Sequence, residues 1–145
     1  MILRLNKKNI KKEIIILLIL ILLLGGFLRL YLLDEKELWV DEVIKTGVGY
    51  APSENLKYVI SNLLNNYPDN APFYSSFLYF WIKFFGSNNF ILRLPSVIFG
   101  LLSILLIYKI VKKVLGYKVG LMSSFIFSIN VLHVTFSQEA TPYSL

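Results

Sequence analysis

The sequence contains no cysteine, and this absence excludes disulfide bonds and thiol chemistry. It has a single histidine, His133, and one histidine among scattered acids is not a metal-binding pattern. A lone histidine in an apolar helix is more often a packed residue than a ligand, so His133 is not placed in a catalytic set. The sequence also lacks a glycine-rich loop that cradles phosphates, so nothing in it indicates a nucleotide site.

Charged residues are scarce, at 17%, whereas hydrophobic residues make up 56% of the 145 and the mean hydropathy is +0.63. This balance is too apolar for an ordinary soluble domain and indicates a membrane protein. Most of the basic residues form two clusters, which are Arg4, Lys7, Lys8, Lys11 and Lys12, and then Lys109, Lys112, Lys113 and Lys118. Cytoplasmic loops explain this segregation, so the net charge of +6 requires no nucleic-acid partner.

The apolar runs predict an all-α integral membrane protein whose three transmembrane helices cover residues 14–33, 94–111 and 119–136. Twenty helical residues extend about 30 Å, which matches one hydrocarbon core. The first run is too long for a signal peptide, so we interpret it as an uncleaved span. Arg29 lies near its outer end, where we expect its side chain to snorkel to the interface.

The basic clusters predict which segments lie on each side of the membrane. The cytoplasmic segments are the N-terminus, 1–13, and a turn, 112–118, and the outer segments are a long loop, 34–92, and the start of a second loop, 137–145. Within the long loop we expect two amphipathic helices along the membrane surface, near 53–66 and 73–85. The second is rich in aromatic residues and too short to cross a bilayer, which is typical of an interfacial helix.

The third span carries two polar patterns. Gly120, Ser124 and Ser128 repeat every four residues, a spacing of small residues that lets helix backbones approach closely. Asn130, His133 and Ser137 share one face near the outer end of the same span. Polar side chains at this depth are expected to face protein or a wet cavity.

Acidic residues follow two of the spans on the same side of the predicted membrane. Asp41 and Glu42 come soon after the first span, and Glu139 comes just after the third. The topology therefore predicts that these acids meet at one outer surface, where carboxylates could act on a substrate attached to a lipid. The alternative is that adjacent acids in a loop are only solvated surface residues.

Five short motifs together resemble the GT-C membrane glycosyltransferases of the family 39 type, which include dolichyl-phosphate-mannose protein mannosyltransferases and lipid A aminoarabinose transferases. They are Trp39-Val40-Asp41-Glu42, Ala71-Pro72-Phe73-Tyr74, Phe85-Gly86, Arg93-Leu94-Pro95-Ser96 with Phe99-Gly100, and Ser137-Gln138-Glu139-Ala140 with Tyr143. No single motif is specific, but their order and membrane context match the family.

The resemblance implies transfer of a sugar, with inversion, from a polyprenyl-phosphate donor to a lipid, protein or glycan acceptor outside the cytoplasm. The implied setting is a multi-pass protein of the plasma membrane, in contact with membrane lipids, whose N-terminus is cytoplasmic. No cofactor is required for certain, although a divalent cation is left open. Asp41, Glu42 and Glu139 are the implied catalytic residues, and the implied substrate-binding residues are Arg93, Asn70, Tyr74 and Tyr143. For Arg93 the alternative is a structural ion pair with a loop acid.

The chain departs from the family pattern in residue type and in length. It has Asn70-Ala71-Pro72 where the family often has His-Pro-Pro or Asn-Pro-Pro, and Thr141 where an arginine is common. Family members carry many more spans, so we expect this chain to be the N-terminal part of a larger GT-C fold and inactive alone. The alternative function is that of a non-catalytic truncated remnant or a small membrane interaction subunit.

Overall fold

The computed structural model describes residues 7–46, 55–66 and 72–141, and within these ranges the chain is entirely helical, without strands. This confirms the predicted all-α class. In chain order the helices are α1 (Lys7–Leu30), α2 (Val40–Thr46), α3 (Leu56–Asn66), α4 (Pro72–Phe85), α5 (Asn89–Leu115), α6 (Tyr117–Ser128) and α7 (Val131–Ser137).

Two of the described helices are long and apolar enough to cross a membrane, over Lys11–Leu30 and Asn89–Leu115. A third crossing is formed if α6 and α7 are counted together. The part of the chain that the structure describes is therefore all-α, with two or three candidate membrane spans. Both long helices start earlier in the chain than the predicted spans, because polar or basic residues extend them beyond the apolar run.

The predicted third span is not one straight helix, since α6 and α7 meet at an angle of 62°. Asn130 lies at the break in an extended conformation, and its side chain accepts a hydrogen bond from the backbone N–H of His133. This contact caps α7 and starts a new helix. The prediction that Asn130 shares a polar helix face with His133 and Ser137 is wrong, because the Asn130 side chain caps α7.

The stripe of small residues on α6 packs against α5, as predicted. Gly120, Ser124 and Ser128 are all buried. A Cβ atom on Gly120 would lie only 3.2 Å from the backbone carbonyl oxygen of Tyr108 and from the backbone nitrogen of Lys112. The two helices therefore approach with almost no side chain between them at this point, which gives the short contacts that hold helices together in lipid.

A proline near the N-terminal end of α5 removes one helical hydrogen bond, and a side chain of α4 donates a hydrogen bond in its place. Pro95 lies inside α5 and has no N–H to donate to the carbonyl of Ile91. That carbonyl instead accepts the indole N–H of Trp81 at 2.9 Å. Asn88 caps the same end of α5 by accepting from the backbone of Ile91. These bonds fix α4 to the start of α5.

We expected the Arg29 side chain to snorkel to the interface, but this expectation is wrong. The side chain is completely buried between α1, α6 and α7. Its guanidinium donates to the carbonyls of Gly25 and Ser128, to the hydroxyl of Ser137 and to Nδ1 of His133. Arginine has no acceptor, so Nδ1 must accept and the imidazole carries its proton on Nε2. His133 and Ser137 thus face protein, as predicted, and hydrogen bonds within the bundle replace water around the charge.

Glycines make the room that the Arg29 side chain occupies. A Cβ atom on Gly100 would collide with the hydroxyl oxygen of Ser137 and lie 3.0 Å from Nε of Arg29. A Cβ atom on Gly25 would lie 3.2 Å from the same guanidinium. By contrast, the nearest atoms to a Cβ on Gly26 are 4.0 Å away, on Leu101.

Replacing Gly100 with alanine is expected to destabilise the protein by about 1–3 kcal/mol, since the added methyl group must displace Ser137 or the guanidinium. Gly26→Ala is the matched control, and its stability should change by less than about 0.5 kcal/mol. Thermal unfolding in detergent, followed by circular dichroism, measures both. Equal melting temperatures for the two variants would show that the space beside Arg29 is not needed.

A small apolar core joins α4 and the segment after α7 to the start of α5. Its buried members are Tyr74, Leu78, Tyr79, Ile82, Leu92 and Ala140, and Leu38 and Phe77 pack against them. The aromatic residues of α4 therefore have two environments. Tyr74 and Tyr79 lie in this core, whereas Phe73 and Phe84 are 78% and 79% exposed. This core brings α4, the start of α5 and the segment after α7 to one place.

Candidate functional site

Glu42 is buried at the start of α2, with 1% of its surface exposed. Its Oε2 accepts the backbone N–H of Trp39 at 3.0 Å, which is the contact an acid in the first turn makes with the residue before the helix. Its Oε1 accepts the backbone N–H of Ala140 at 2.6 Å. One carboxylate therefore holds α2 in place and joins it to the chain after α7.

Arg93 completes this arrangement from α5 and is also 1% exposed. Its guanidinium forms a bidentate pair with the Glu42 carboxylate. Nε donates to Oε1 at 3.0 Å, and Nη2 donates to Oε2 at 2.9 Å. The other donors reach backbone carbonyls in the turn after α1, those of Leu33, Lys36 and Glu37. All five N–H groups of the guanidinium are thus used. We call Glu42, Arg93 and Ala140 the outer node.

The charge on Glu42 is stabilised despite its burial. Burial alone raises the pKa of this carboxyl group, but hydrogen bonds from Arg93, Ala140 and Trp39, together with the positive charge of Arg93, hold it below its ordinary value of 4.5. Glu42 is therefore a poor acceptor for a substrate proton. Its four acceptor positions are already occupied, which is the arrangement of a structural carboxylate.

Asp41 and Glu139, the other two predicted catalytic acids, are next to members of the outer node in the sequence. Asp41 precedes Glu42, and Glu139 precedes Ala140, so each acid is one residue from a bonded member of the node. Standard backbone and side-chain dimensions then keep the Cα atoms of Asp41 and Glu139 within about 14 Å of each other. Asp41 is exposed and Glu139 is partly exposed. Both residues therefore keep some contact with solvent.

Tyr74 lies beneath this surface and is not open to a substrate. It is 2% exposed, and its hydroxyl bonds Ser96 Oγ at 3.1 Å. Ser96 in turn donates to the carbonyl of Thr141 at 3.2 Å. Burial raises the pKa of the Tyr74 phenol to about 12. The chain of bonds holds the segment after α7 against α4 and α5.

In the structure, protein groups occupy the polar atoms of Arg93 and Tyr74, and a substrate-binding role for these two residues stays a prediction. Asn70 and Tyr143 lie outside the described residues. The sequence reasoning missed the backbone N–H of Ala140 and the hydroxyl of Ser96 as organising groups. Ser96 follows Arg93 by three residues on α5, so helical spacing could have placed it on the same face.

Within residues 7–46, 55–66 and 72–141, no three histidine or acidic side chains come together as a metal-binding group. Glu42 is committed to Arg93, so Asp41 and Glu139 are the two of the three predicted catalytic acids that keep some exposure. Oxygen ligands of this kind suit a hard divalent cation, but two carboxylates are a small fraction of its usual shell. The divalent cation left open by the sequence therefore stays a prediction.

Comparison with known proteins finds a family match. A family model described as dolichyl-phosphate-mannose-protein mannosyltransferase matches residues 69–145, which is just over half of the chain. The matched part contains Arg93, Ala140 and Glu139, whereas Asp41 and Glu42 precede it. No curated protein and no solved structure matches the chain.

Proposed function

The chain belongs to the dolichyl-phosphate-mannose-protein mannosyltransferase family, and from this membership we propose that it moves a sugar from a polyprenyl-phosphate donor to an acceptor outside the cytoplasm. The family is one of membrane glycosyltransferases, and the apolar helices α1 and α5 agree with a membrane location. The acceptor is a lipid, a protein or a glycan. The outer node is the observation that carries the proposal, because it joins two acidic segments at one surface.

In the proposed step, a hydroxyl oxygen of the acceptor attacks the anomeric carbon of the donor sugar. The bond from that carbon to the phosphate oxygen breaks, and its electron pair leaves with the polyprenyl phosphate. The attack comes from the face opposite the leaving group, so the configuration inverts. The hydroxyl proton passes to the carboxylate of Asp41, which acts as general base.

The proposal assigns different roles to the acids and to Arg93. Asp41 is the base because it is exposed at the start of α2, whereas Glu42 is buried and committed to Arg93. Glu139 accepts a hydrogen bond from a hydroxyl group of the acceptor substrate. Arg93 and Tyr74 are positioning residues, since their polar atoms serve the protein. Thr141, where the family commonly has arginine, is buried behind Ser96.

The proposed orientation places residue 34 outside the cytoplasm and residue 117 inside it. The lack of native cysteine gives a clean background for labelling. Asp34→Cys is expected to react with a membrane-impermeant maleimide on intact cells, and Tyr117→Cys only after the membrane is opened. Reaction at Tyr117→Cys alone on intact cells would reverse the orientation and place the acids in the cytoplasm.

The activity is tested in the source cells, where the protein has its natural length and partners. Cells that lack the gene are expected to accumulate a polyprenyl-phosphate sugar, because its consumption stops. Mass spectrometry of lipid extracts identifies the accumulated donor without assuming the sugar. Restoring the gene should return the donor to its original level. Unchanged polyprenyl-phosphate sugars in the deletion strain would contradict the proposed function.

A further inference from the structure

A groove of about 460 Å³ lies between α1 and α5, near the C-terminal end of α5. It is lined by Leu18, Leu105, Tyr108, Lys109, Lys112 and Lys113. Tyr108 is fifteen residues from Arg93 along α5, which corresponds to about 22 Å of helix. The groove is therefore remote from the outer node and is not part of the proposed transfer site.

The lining changes character along the helix axis. Leu105, Tyr108, Lys109 and Lys112 follow one another at spacings of three, one and three residues, so they share one face of α5. The leucines Leu18 and Leu105 lie on the side toward the middle of the span, and the three lysines lie toward its end. This order matches that of a phospholipid near the membrane surface, where the apolar acyl chain lies deeper than the charged headgroup.

Tyr108 contributes to the wall of the groove beside the lysines. The residue is buried, and its hydroxyl has no hydrogen-bond partner among the described residues. A buried hydroxyl without a partner is unfavourable, and in lipid it has no water to bond. Nζ of Lys112 lies 5.3 Å from the centroid of the same ring, so one cation is already held beside the phenol.

We propose that this groove binds the headgroup of an anionic phospholipid, with its phosphate oxygens held by Lys109, Lys112 and Lys113 and an acyl chain along Leu18 and Leu105. Basic pockets between transmembrane helices favour anionic headgroups. The leucine floor favours a lipid over a free phosphate ion, which would leave that apolar surface uncovered.

The test uses the natural-length protein in phosphatidylcholine vesicles that contain a phosphatidylglycerol probe with a photoactivatable headgroup. Peptide mapping after illumination is expected to find the label concentrated in residues 105–113. Lys112→Gln should lower this label about fivefold, because one lysine close to the headgroup is removed. Lys118→Gln is the matched control: it removes one exposed lysine that does not line the groove, and it should change the label by less than about twofold.

Two further measurements complete the test. Excess soluble glycerol phosphate should not compete, whereas unlabelled phosphatidylglycerol should. Equal losses for Lys112→Gln and Lys118→Gln would show diffuse surface charge only, and competition by glycerol phosphate would show an anion site without lipid selectivity. Either result overturns the proposal.

Discussion

Changing Asp41 to asparagine is expected to slow sugar transfer by about 10²- to 10⁴-fold, the usual contribution of a general base. The amide has the size of the carboxylate but cannot take the acceptor proton. The side chain is exposed, so the exchange should leave the fold intact. Consumption of the polyprenyl-phosphate donor is measured in membranes from cells that carry the altered gene.

The control for Asp41 is another acid of the same outer segment. Glu35 is exposed in the turn after α1, and Glu35→Gln removes one negative charge from the same region. Its donor consumption is expected to stay within about twofold of the original protein, as for a surface charge without a role. Both variants should retain the original melting temperature. Unchanged donor consumption in Asp41→Asn would remove Asp41 from the base role.

The helical membrane architecture could be predicted because it depends on local composition. A run of twenty apolar residues can bury its backbone polar groups in lipid only as a helix, whatever surrounds it. The bend between α6 and α7 depends instead on one choice at Asn130, whose side chain either continues a polar face or caps a new helix. The sequence shows the asparagine but not which backbone N–H it will accept.

The outer node could be predicted only in part. The sequence places Glu42 and Arg93 at the outer ends of two spans, which allows an ion pair between them. It cannot show that three backbone carbonyls take the remaining donors of Arg93, because carbonyls are present at every residue. For the same reason the N–H of Ala140 carried no signal. The bonds that occupy Arg93 are therefore visible in the structure but not in the sequence.

Arg29 shows the same limit inside the membrane. A cation near the end of a span has two common environments, the headgroup layer and a polar contact within the bundle. The sequence contained both parts of the second environment, since His133 and Ser137 were predicted to face protein. Their pairing with Arg29 requires the bend at Asn130, which turns α7 so that these side chains reach α1. Without the bend the pairing could not be deduced.

Arg93→Gln is expected to destabilise the protein by about 3–5 kcal/mol, because it leaves the Glu42 carboxylate buried without its counter-charge. Glu42→Gln should have a similar cost, and the double variant should lose less than the sum of the two. Thermal unfolding of the natural-length protein in detergent measures all three. Lys83→Gln removes an exposed lysine of α4 and serves as control, with a change below about 0.5 kcal/mol.

The pH dependence of unfolding separates the ion pair from simple packing. The pKa of Glu42 is lowered in the folded protein, so its stabilisation is present above the ordinary carboxyl pKa of 4.5 and is lost as the pH falls through the folded value. The original protein should therefore lose stability below that pH, and Glu42→Gln should lose less over the same range. One result would contradict this role of the outer node. It is that Arg93→Gln has the same melting temperature as the Lys83→Gln control and that both variants keep the pH dependence of the original protein.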